Sequence, residues 1–240
     1  MRVLAIESSG LTASVAYLED DIIVGEYSVN YKKTHSQTLL PMIDEMSKMT
    51  EMDLSKLDCL AVSKGPGSFT GLRIGSATAK GIALSLNIPI AEIETTMGLA
   101  FNMYGSGDLI CPIMDARRNQ VYTGIYDFTY ENSSYRLNTI MGAAALSIEE
   151  ILEKVNSLKR RVLFLGDGVP VFKEKIEKLM EVEFSFACPG RNLQSASSIA
   201  VLGAAFFKEG KTVSADEHVP DYLRLSQAER EKKEREENND

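Results

Sequence analysis

The sequence predicts an α/β fold built from two copies of one unit, each a mixed sheet covered by helices. The spacing of hydrophobic residues predicts a series of strands and helices over the first hundred residues, and the same series starts again near residue 110. A three-stranded meander followed by alternating helices and strands is typical of a partly antiparallel, partly parallel sheet. The 240 residues, of which 44% are hydrophobic, suffice for two small cores.

The first copy begins with three apolar or alternating strands, and Glu19-Asp20-Asp21 forms the turn of a hairpin between the second and third. A helix starts at Ser36, because apolar residues then recur at helical spacing. A second helix starts at Gly71, after a glycine-rich loop, and runs to about residue 86. Strands are predicted at 3–7, 12–18, 22–29, 57–62 and 88–92, and a short helix at 95–103.

The second copy repeats this order more weakly. Strands are predicted at 110–114, 121–128, 135–143, 162–165 and 182–188, and helices at 148–158, 171–180 and 195–208, the first of them capped by Ser147. This duplication is that of the ribonuclease H-like fold seen in actin, sugar kinases and related ATPases, the ASKHA fold. The domains are 1–106 and 107–225, with the last helix able to pack back on the first domain, and 226–240 is a charged tail.

The glycine-rich loop is the most informative local feature. Gly65, Gly67 and Gly71 lie within seven positions, so the backbone must approach something closely. The spacing matches neither a P-loop nor the dinucleotide fingerprint, and tight-turn architecture and phosphate contact both stay open. Gly71, Gly75 and Ala79 then form a flat row on the helix, which packs either on the chain's own sheet or on a second protein.

Bulk properties narrow the class of protein. A net charge of −8 opposes unaided binding of nucleic acid, so RNA contact would need a basic partner. Cys59, Cys111 and Cys188 stand singly and are predicted to be buried, reduced thiols without a metal or disulfide. No apolar run approaches a membrane span, and no signal-peptide core follows Arg2, so we expect a cytoplasmic protein with no membrane partner.

Five motifs together resemble the bacterial TsaB family, also called YeaZ. They are Ala5-Ile6-Glu7-Ser8-Ser9, the histidine-led helix start 35–43, the glycine-loop block 64–75, Asp115-Ala116-Arg117-Arg118 and Tyr222-Leu223-Arg224. The resemblance spans nearly the whole chain, and the glycine-loop block is its most specific part.

This resemblance implies a non-catalytic subunit for threonylcarbamoylation of the adenosine next to the anticodon of tRNA. The implied partner is TsaD, which carries the metal and transfers the threonylcarbamoyl group, and the small ATPase TsaE joins the pair. Members also form homodimers when the partner is absent. The chain is then expected to need no metal or cofactor of its own and to meet tRNA only within the complex, while a nucleotide at the complex interface stays open.

The predicted partner surface combines the helices that start at Ser36 and Gly71. Its residues are His35, Ser36, Leu39, Leu40, Ile43, Phe69, Leu72, Arg73, Gly75, Ser76 and Ala79. Candidate contacts for a nucleotide or phosphate are Glu7, Ser8, Gly65, Gly67, Ser68 and Arg118. Arg73 is expected to meet a carboxylate across the interface, whereas Arg117 and Arg118 either pair with an internal aspartate or hold a phosphate.

An enzyme of the same fold is the alternative: a small-molecule kinase or ATPase that uses the cleft between domains. Nucleotide-hydrolysing members place an aspartate and glycines in the first hairpin, but this turn carries the longer Glu7 and a shifted Gly10. The only histidines are His35 and His218, too few for the metal site of the related transferase. A peptidase or chaperone-like reading has no support beyond the superfamily's older naming.

Overall fold

Two five-stranded mixed sheets with the same strand order form the framework of the computed structural model, which describes residues 1–31 and 34–224. The predicted charged tail at 226–240 lies outside the described residues. The duplicated order of elements that the sequence predicts is confirmed. Within the described part of the chain, no helix has both the length and the apolar character needed to cross a membrane.

The first unit has the sheet order β3-β2-β1-β4-β5. β1 is antiparallel to β2 and parallel to β4, and Asp20 and Asp21 adopt positive φ in the tight turn of the β2–β3 hairpin. The elements are β1 (Arg2–Glu7), β2 (Ala13–Glu19), β3 (Ile22–Val29), α1 (His35–Thr50), β4 (Cys59–Gly65), α2 (Phe69–Leu86), β5 (Ile90–Glu94) and α3 (Thr95–Phe101).

The second unit repeats this order as β8-β7-β6-β9-β10. Ser147 and Glu150 form a reciprocal capping box at the start of α4, which confirms Ser147 as the predicted N-cap. The elements are β6 (Leu109–Asp115), β7 (Gln120–Glu131), β8 (Ser134–Ser147), α4 (Ile148–Ser157), β9 (Val162–Leu165), α5 (Val169–Leu179), β10 (Phe184–Phe186) and α6 (Ala196–Lys208).

Helices cover both faces of the first sheet. α1 and α2 lie side by side on one face, where Ile6 and Val15 pack with Leu39 and Met46. α6 covers the other face, where Val3 and Ala5 pack with Ile199. α6 therefore belongs to the core of the first unit, although it follows the strands of the second unit in sequence.

Several boundaries differ from the sequence-based ones. β5 lies two residues later than predicted, and α2 starts at Phe69 because Ser68 caps it. β10 has only three residues and pairs with β9 alone, at the edge of its sheet. The prediction that all three cysteines are buried is wrong for Cys188, which lies beyond this short strand and is exposed.

After α6 the chain returns to the first unit as a segment that we name the C-terminal strap, residues 213–224. Val213 pairs with Ile90 at the free edge of β5 through two backbone hydrogen bonds. The strap then crosses α2, and the Asp221 amide donates to the Lys64 carbonyl at 2.7 Å. It ends at Arg224, whose guanidinium donates to the Ala116 carbonyl of the second unit.

Candidate functional site

The glycine-rich loop joins β4 to α2 and lies against two other parts of the chain, the strap and the first hairpin. A Cβ on Gly65, which has φ +126°, would overlap the Asp221 carbonyl oxygen of the strap, and one on Gly67 would overlap the Ser9 carbonyl oxygen. The Ser68 amide donates to that same Ser9 oxygen at 2.7 Å. Close packing within the chain therefore accounts for Gly65 and Gly67.

The flat row on α2 faces the chain's own sheet, which corrects its interpretation as a docking face. Cβ atoms on Gly71 and Gly75 would overlap the carbonyl oxygen and the hydroxyl of Ser8. The Ser8 hydroxyl donates to the Gly71 carbonyl at 2.9 Å, so β1 and α2 touch directly. Six residues predicted for the partner surface are consequently buried within the chain: Leu39, Ile43, Leu72, Gly75, Ser76 and Ala79.

The solvent-facing side of these two helices carries a different row, which we name the outer helix surface. On α1 it includes Ser36 and the exposed apolar side chains of Leu40 and Met49, which are 57% and 70% accessible. On α2 it consists of Arg73, Ala77, Gly81 and Leu84, all exposed. Sequence reasoning missed Ala77, Gly81 and Leu84, although their spacing marks a second row of small and apolar residues.

Arg73 is engaged within its own chain. Its guanidinium carbon lies 3.9 Å from the centre of the Phe69 ring, and its Nε donates to the Tyr222 hydroxyl at 3.3 Å. The Phe69 and Tyr222 rings are 4.6 Å apart. The strap therefore docks on the first turn of α2.

His35 links the start of α1 to the first hairpin. Its Nε2 lies 2.9 Å from the Gly10 carbonyl oxygen, and its ring passes close to Gly71. The half-buried His35 therefore has a structural role, because it fastens the start of α1 to the backbone of the first hairpin.

A cleft of about 440 Å³ separates the two units. The first hairpin and the glycine loop form one wall through Ser9, Gly10, Gly67 and Ser68, and the second unit supplies the other wall. Of the six residues predicted to contact a nucleotide or phosphate, the lining therefore includes only Gly67 and Ser68.

Glu7, Ser8 and Gly65 lie behind this wall, because each is buried against the chain itself. The Glu7 carboxylate accepts hydrogen bonds from the Ser9 amide at 2.7 Å and the Ser9 hydroxyl at 2.6 Å. Burial raises the pKa of Glu7, although these hydrogen bonds oppose the shift. Arg118 is exposed, and no hydrogen bond or ion pair of its side chain occurs among residues 1–31 and 34–224.

The far wall of the cleft carries Asp115, Arg117 and Asp167. The Arg117 guanidinium lies 3.2 Å from the Asp115 carboxylate, which is the internal ion pair considered above. Burial raises the pKa of Asp167, and the Asp115 amide donates to its carboxylate at 3.3 Å. The part of the chain that is described contains no group of three or more His, Cys, Asp or Glu side chains suited to a metal ion.

A buried hydrogen-bonded chain fastens the strap to α2. His218 Nδ1 lies 2.7 Å from the Glu92 carboxylate, and its Nε2 lies 2.9 Å from the Ser76 hydroxyl. Serine, histidine and glutamate are hydrogen-bonded here in the same order as in the catalytic triad of a hydrolase. Ser76 and His218 are only 3% and 1% accessible, however, and the strap that supplies His218 also covers them. The three side chains of Ser76, His218 and Glu92 therefore fasten the strap to α2, and we name them the clasp. The Lys64 ammonium lies 3.8 Å from the Glu92 carboxylate.

Comparisons with a family model and with known proteins agree on the relatives of this chain. The family model for TsaD, tRNA N6-adenosine threonylcarbamoyltransferase, matches residues 23–232. The tRNA threonylcarbamoyladenosine biosynthesis protein TsaB of Bacillus subtilis strain 168 is 36% identical over 95% of this chain and 96% of its own length.

Solved structures agree with these matches. YeaZ from Pseudomonas aeruginosa superposes with a TM-score of 0.78 at 25% identity and covers 92% of this chain and 99% of its own. The inorganic polyphosphate/ATP-glucomannokinase from Arthrobacter sp. strain KM has a TM-score of 0.50 at 10% identity, over 85% of this chain and 98% of its own, which shows a shared fold alone. The chain has the duplicated actin-like fold and belongs to the TsaB family, also called YeaZ, within the wider family that the TsaD model describes.

Proposed function

We propose that this chain acts in tRNA threonylcarbamoyladenosine biosynthesis as a non-catalytic subunit that binds the TsaD transferase through its outer helix surface. In the absence of TsaD, the same surface pairs two copies of the chain. TsaE joins the pair, and tRNA meets this chain only within the complex. The subunit needs no cofactor of its own under this proposal.

The observation that carries the proposal is the composition of the outer helix surface. Leu40, Met49 and Leu84 expose large apolar side chains, although such groups are normally buried. Between them Ala77 and Gly81 leave the α2 backbone uncovered, and nothing lies within 4 Å of a Cβ placed on Gly81. A smooth helix flanked by apolar side chains lets a second helix approach closely.

Symmetry supports the choice of partner. A protein with the same fold presents the same two helices, so pairing α1 and α2 with their counterparts gives a two-fold or pseudo-two-fold interface. A specific interface of this kind buries at least about 1,000 Å². Two adjacent helices of 16 and 18 residues offer a surface of suitable extent.

The absence of a catalytic role is inferred from the cleft. Glu7 points away from the cleft into buried hydrogen bonds, and the Asp115–Arg117 pair occupies the opposite wall. Carboxylates at Asp115 and Asp167 would repel a polyphosphate unless a cation were bound between them. The kinase or ATPase alternative therefore rests on the fold, and no contact in the cleft favours it.

The test uses Ala77→Arg, which places a long cation at the centre of the outer helix surface without entering the core. Ala205→Arg is the matched control, because Ala205 is equally an exposed alanine of a helix but lies on α6, across the first sheet. Light scattering gives the mass of each variant alone and with purified TsaD, and tRNA modification is assayed in the same samples.

We expect Ala77→Arg to lose both the homodimer and the heterodimer, together with modification, while Ala205→Arg keeps all three. A heterodimer that survives Ala77→Arg would show that the surface is wrongly placed. Modification that proceeds equally without this chain would refute the subunit role. ATP turnover by the pure chain that disappears in Asp115→Asn would support the enzyme alternative.

A further inference from the structure

We propose that a second cavity, behind the first hairpin, binds a small oxyanion of the carboxylate or phosphate type. The cavity has a volume of about 480 Å³ and lies between the β2–β3 hairpin and the segment 189–195 that precedes α6. Its lining shares no residue with that of the cleft between the units. It is thus a separate site on the α6 side of the first sheet.

Two buried polar groups in the cavity wall have no hydrogen-bond partner among the described residues. Thr12 and Gln194 are each 4% accessible, and neither the Thr12 hydroxyl nor the Gln194 Nε2 has a hydrogen-bond partner within residues 1–31 and 34–224. Leaving a buried donor unsatisfied costs free energy, so native structures rarely do it without a ligand or ordered water. Both residues line the same cavity.

The groups of the cavity wall that stay available include three donors. Glu26, the carboxylate of the wall, is already committed, since it accepts hydrogen bonds from Ser195 at 2.8 Å and from the Ser197 hydroxyl at 2.5 Å. The Arg191 guanidinium makes no hydrogen bond or ion pair with the described residues. Arg191, Gln194 and Thr12 therefore offer a cation, an amide N–H₂ and a hydroxyl to one ligand, which fits acceptor oxygens bearing negative charge.

The segment that carries two of these donors is fixed in advance. The Asn102 amide of the turn after α3 donates to the Arg191 carbonyl at 3.1 Å and to the Leu193 carbonyl at 2.7 Å. The Gln194 amide packs closely against Gly10, where any added Cβ would lie 2.9 Å from its atoms. Ordering these groups before a ligand arrives lowers the entropic cost of binding.

The same contact supplies a direct probe. Gly10 lies between the Gln194 amide on one side and the cleft on the other, and its carbonyl oxygen contacts His35. An anion bound to Gln194 should therefore shift the Gly10 amide signal as well as the Gln194 side-chain N–H₂ signal.

The experiment titrates the ¹⁵N-labelled full chain with inorganic phosphate and, separately, with acetate, at constant ionic strength set by sodium chloride. We expect a saturable shift of both signals with at least one anion, and the anion that binds distinguishes a phosphate-type from a carboxylate-type ligand. Gln194→Glu keeps the side-chain size but replaces the donor by an acceptor, and it should weaken binding at least about tenfold. Arg191→Ala, at an exposed position that cannot disturb the core, should weaken it similarly.

Thr95→Val is the matched control for Thr12→Val. Thr95 also carries a buried hydroxyl without a partner in the described residues, but it lies on α3 outside the lining of the cavity. Thr12→Val should weaken anion binding and Thr95→Val should leave it unchanged. Shifts that sodium chloride reproduces, or an affinity that Gln194→Glu and Arg191→Ala both leave intact, would overturn the proposal and assign the unpartnered groups to ordered water.

Discussion

Two glycines of α2, six residues apart, should respond to alanine with opposite signs. Gly81 faces solvent, and a Cβ there meets nothing within 4 Å. Glycine in a helix interior costs about 1 kcal/mol relative to alanine, so Gly81→Ala should stabilise the chain by about that amount. For a protein of this size the gain corresponds to roughly 2–4 °C in Tm.

Gly75→Ala should do the reverse. The new methyl group would overlap the buried Ser8 hydroxyl, and overpacking of this kind costs about 1–3 kcal/mol. Displacing Ser8 also loses its hydrogen bond to the Gly71 carbonyl, at about 1 kcal/mol, which roughly cancels the gain in helix propensity. The net expectation is a loss of about 1–3 kcal/mol.

The assay is urea unfolding followed by circular dichroism, at concentrations low enough that the midpoint no longer depends on protein concentration. This condition matters because self-association would add its own stabilisation. Destabilisation by Gly81→Ala, or a neutral Gly75→Ala, would refute the assignment of the inner and outer rows of α2. The outer helix surface would then have to be redrawn.

Three further substitutions test buried polar groups. Burial raises the folded-state pKa of Glu7 above its ordinary 4.5, so the folded chain binds more protons than the unfolded chain above that pH and stability falls as pH rises through this window. Glu7→Gln still accepts from Ser9, and its urea midpoint should decline less than that of the parent as pH rises from 4.5; an equal decline would contradict this. His218→Ala removes the hydrogen bonds to both Glu92 and Ser76 and should cost about 1–3 kcal/mol, whereas Ser76→Ala removes one neutral hydrogen bond and should cost about 1 kcal/mol. Urea midpoints compare the two, and equal losses would mean that the clasp does not depend on Glu92.

Local signals in the sequence were sufficient for most elements. The Asp20-Asp21 turn and the capping box at Ser147 each depend on residues within three or four positions, and both were predictable. The side of α2 that meets the sheet was not. Helical spacing yields two rows of small residues, and the packing of Ser8 from β1 decides between them, through a contact across more than sixty positions.

The candidate site was predictable in outline only. The sequence indicates a cleft with the glycine loop on one wall, and Gly67 and Ser68 do line it. It does not indicate that Glu7 turns inward to Ser9, because an inward and an outward carboxylate have the same spacing in the chain. The contact of Asp167 with Asp115 depends likewise on how β6 and β9 align in the second sheet.

The position of α6 has a consequence for the order in which the chain folds. Val3 and Ala5 of β1 pack with Ile199, so one face of the first sheet stays uncovered until α6 has been synthesised. The face of the second sheet that α4 and α5 cover, by contrast, draws its core from a continuous stretch between Leu109 and Phe186. Contacts of such long range slow folding and prolong the exposure of apolar strands. During synthesis the second unit should therefore be able to fold first. The first unit is completed only when α6 and the strap pack on it, so the second unit is in effect inserted in its sequence.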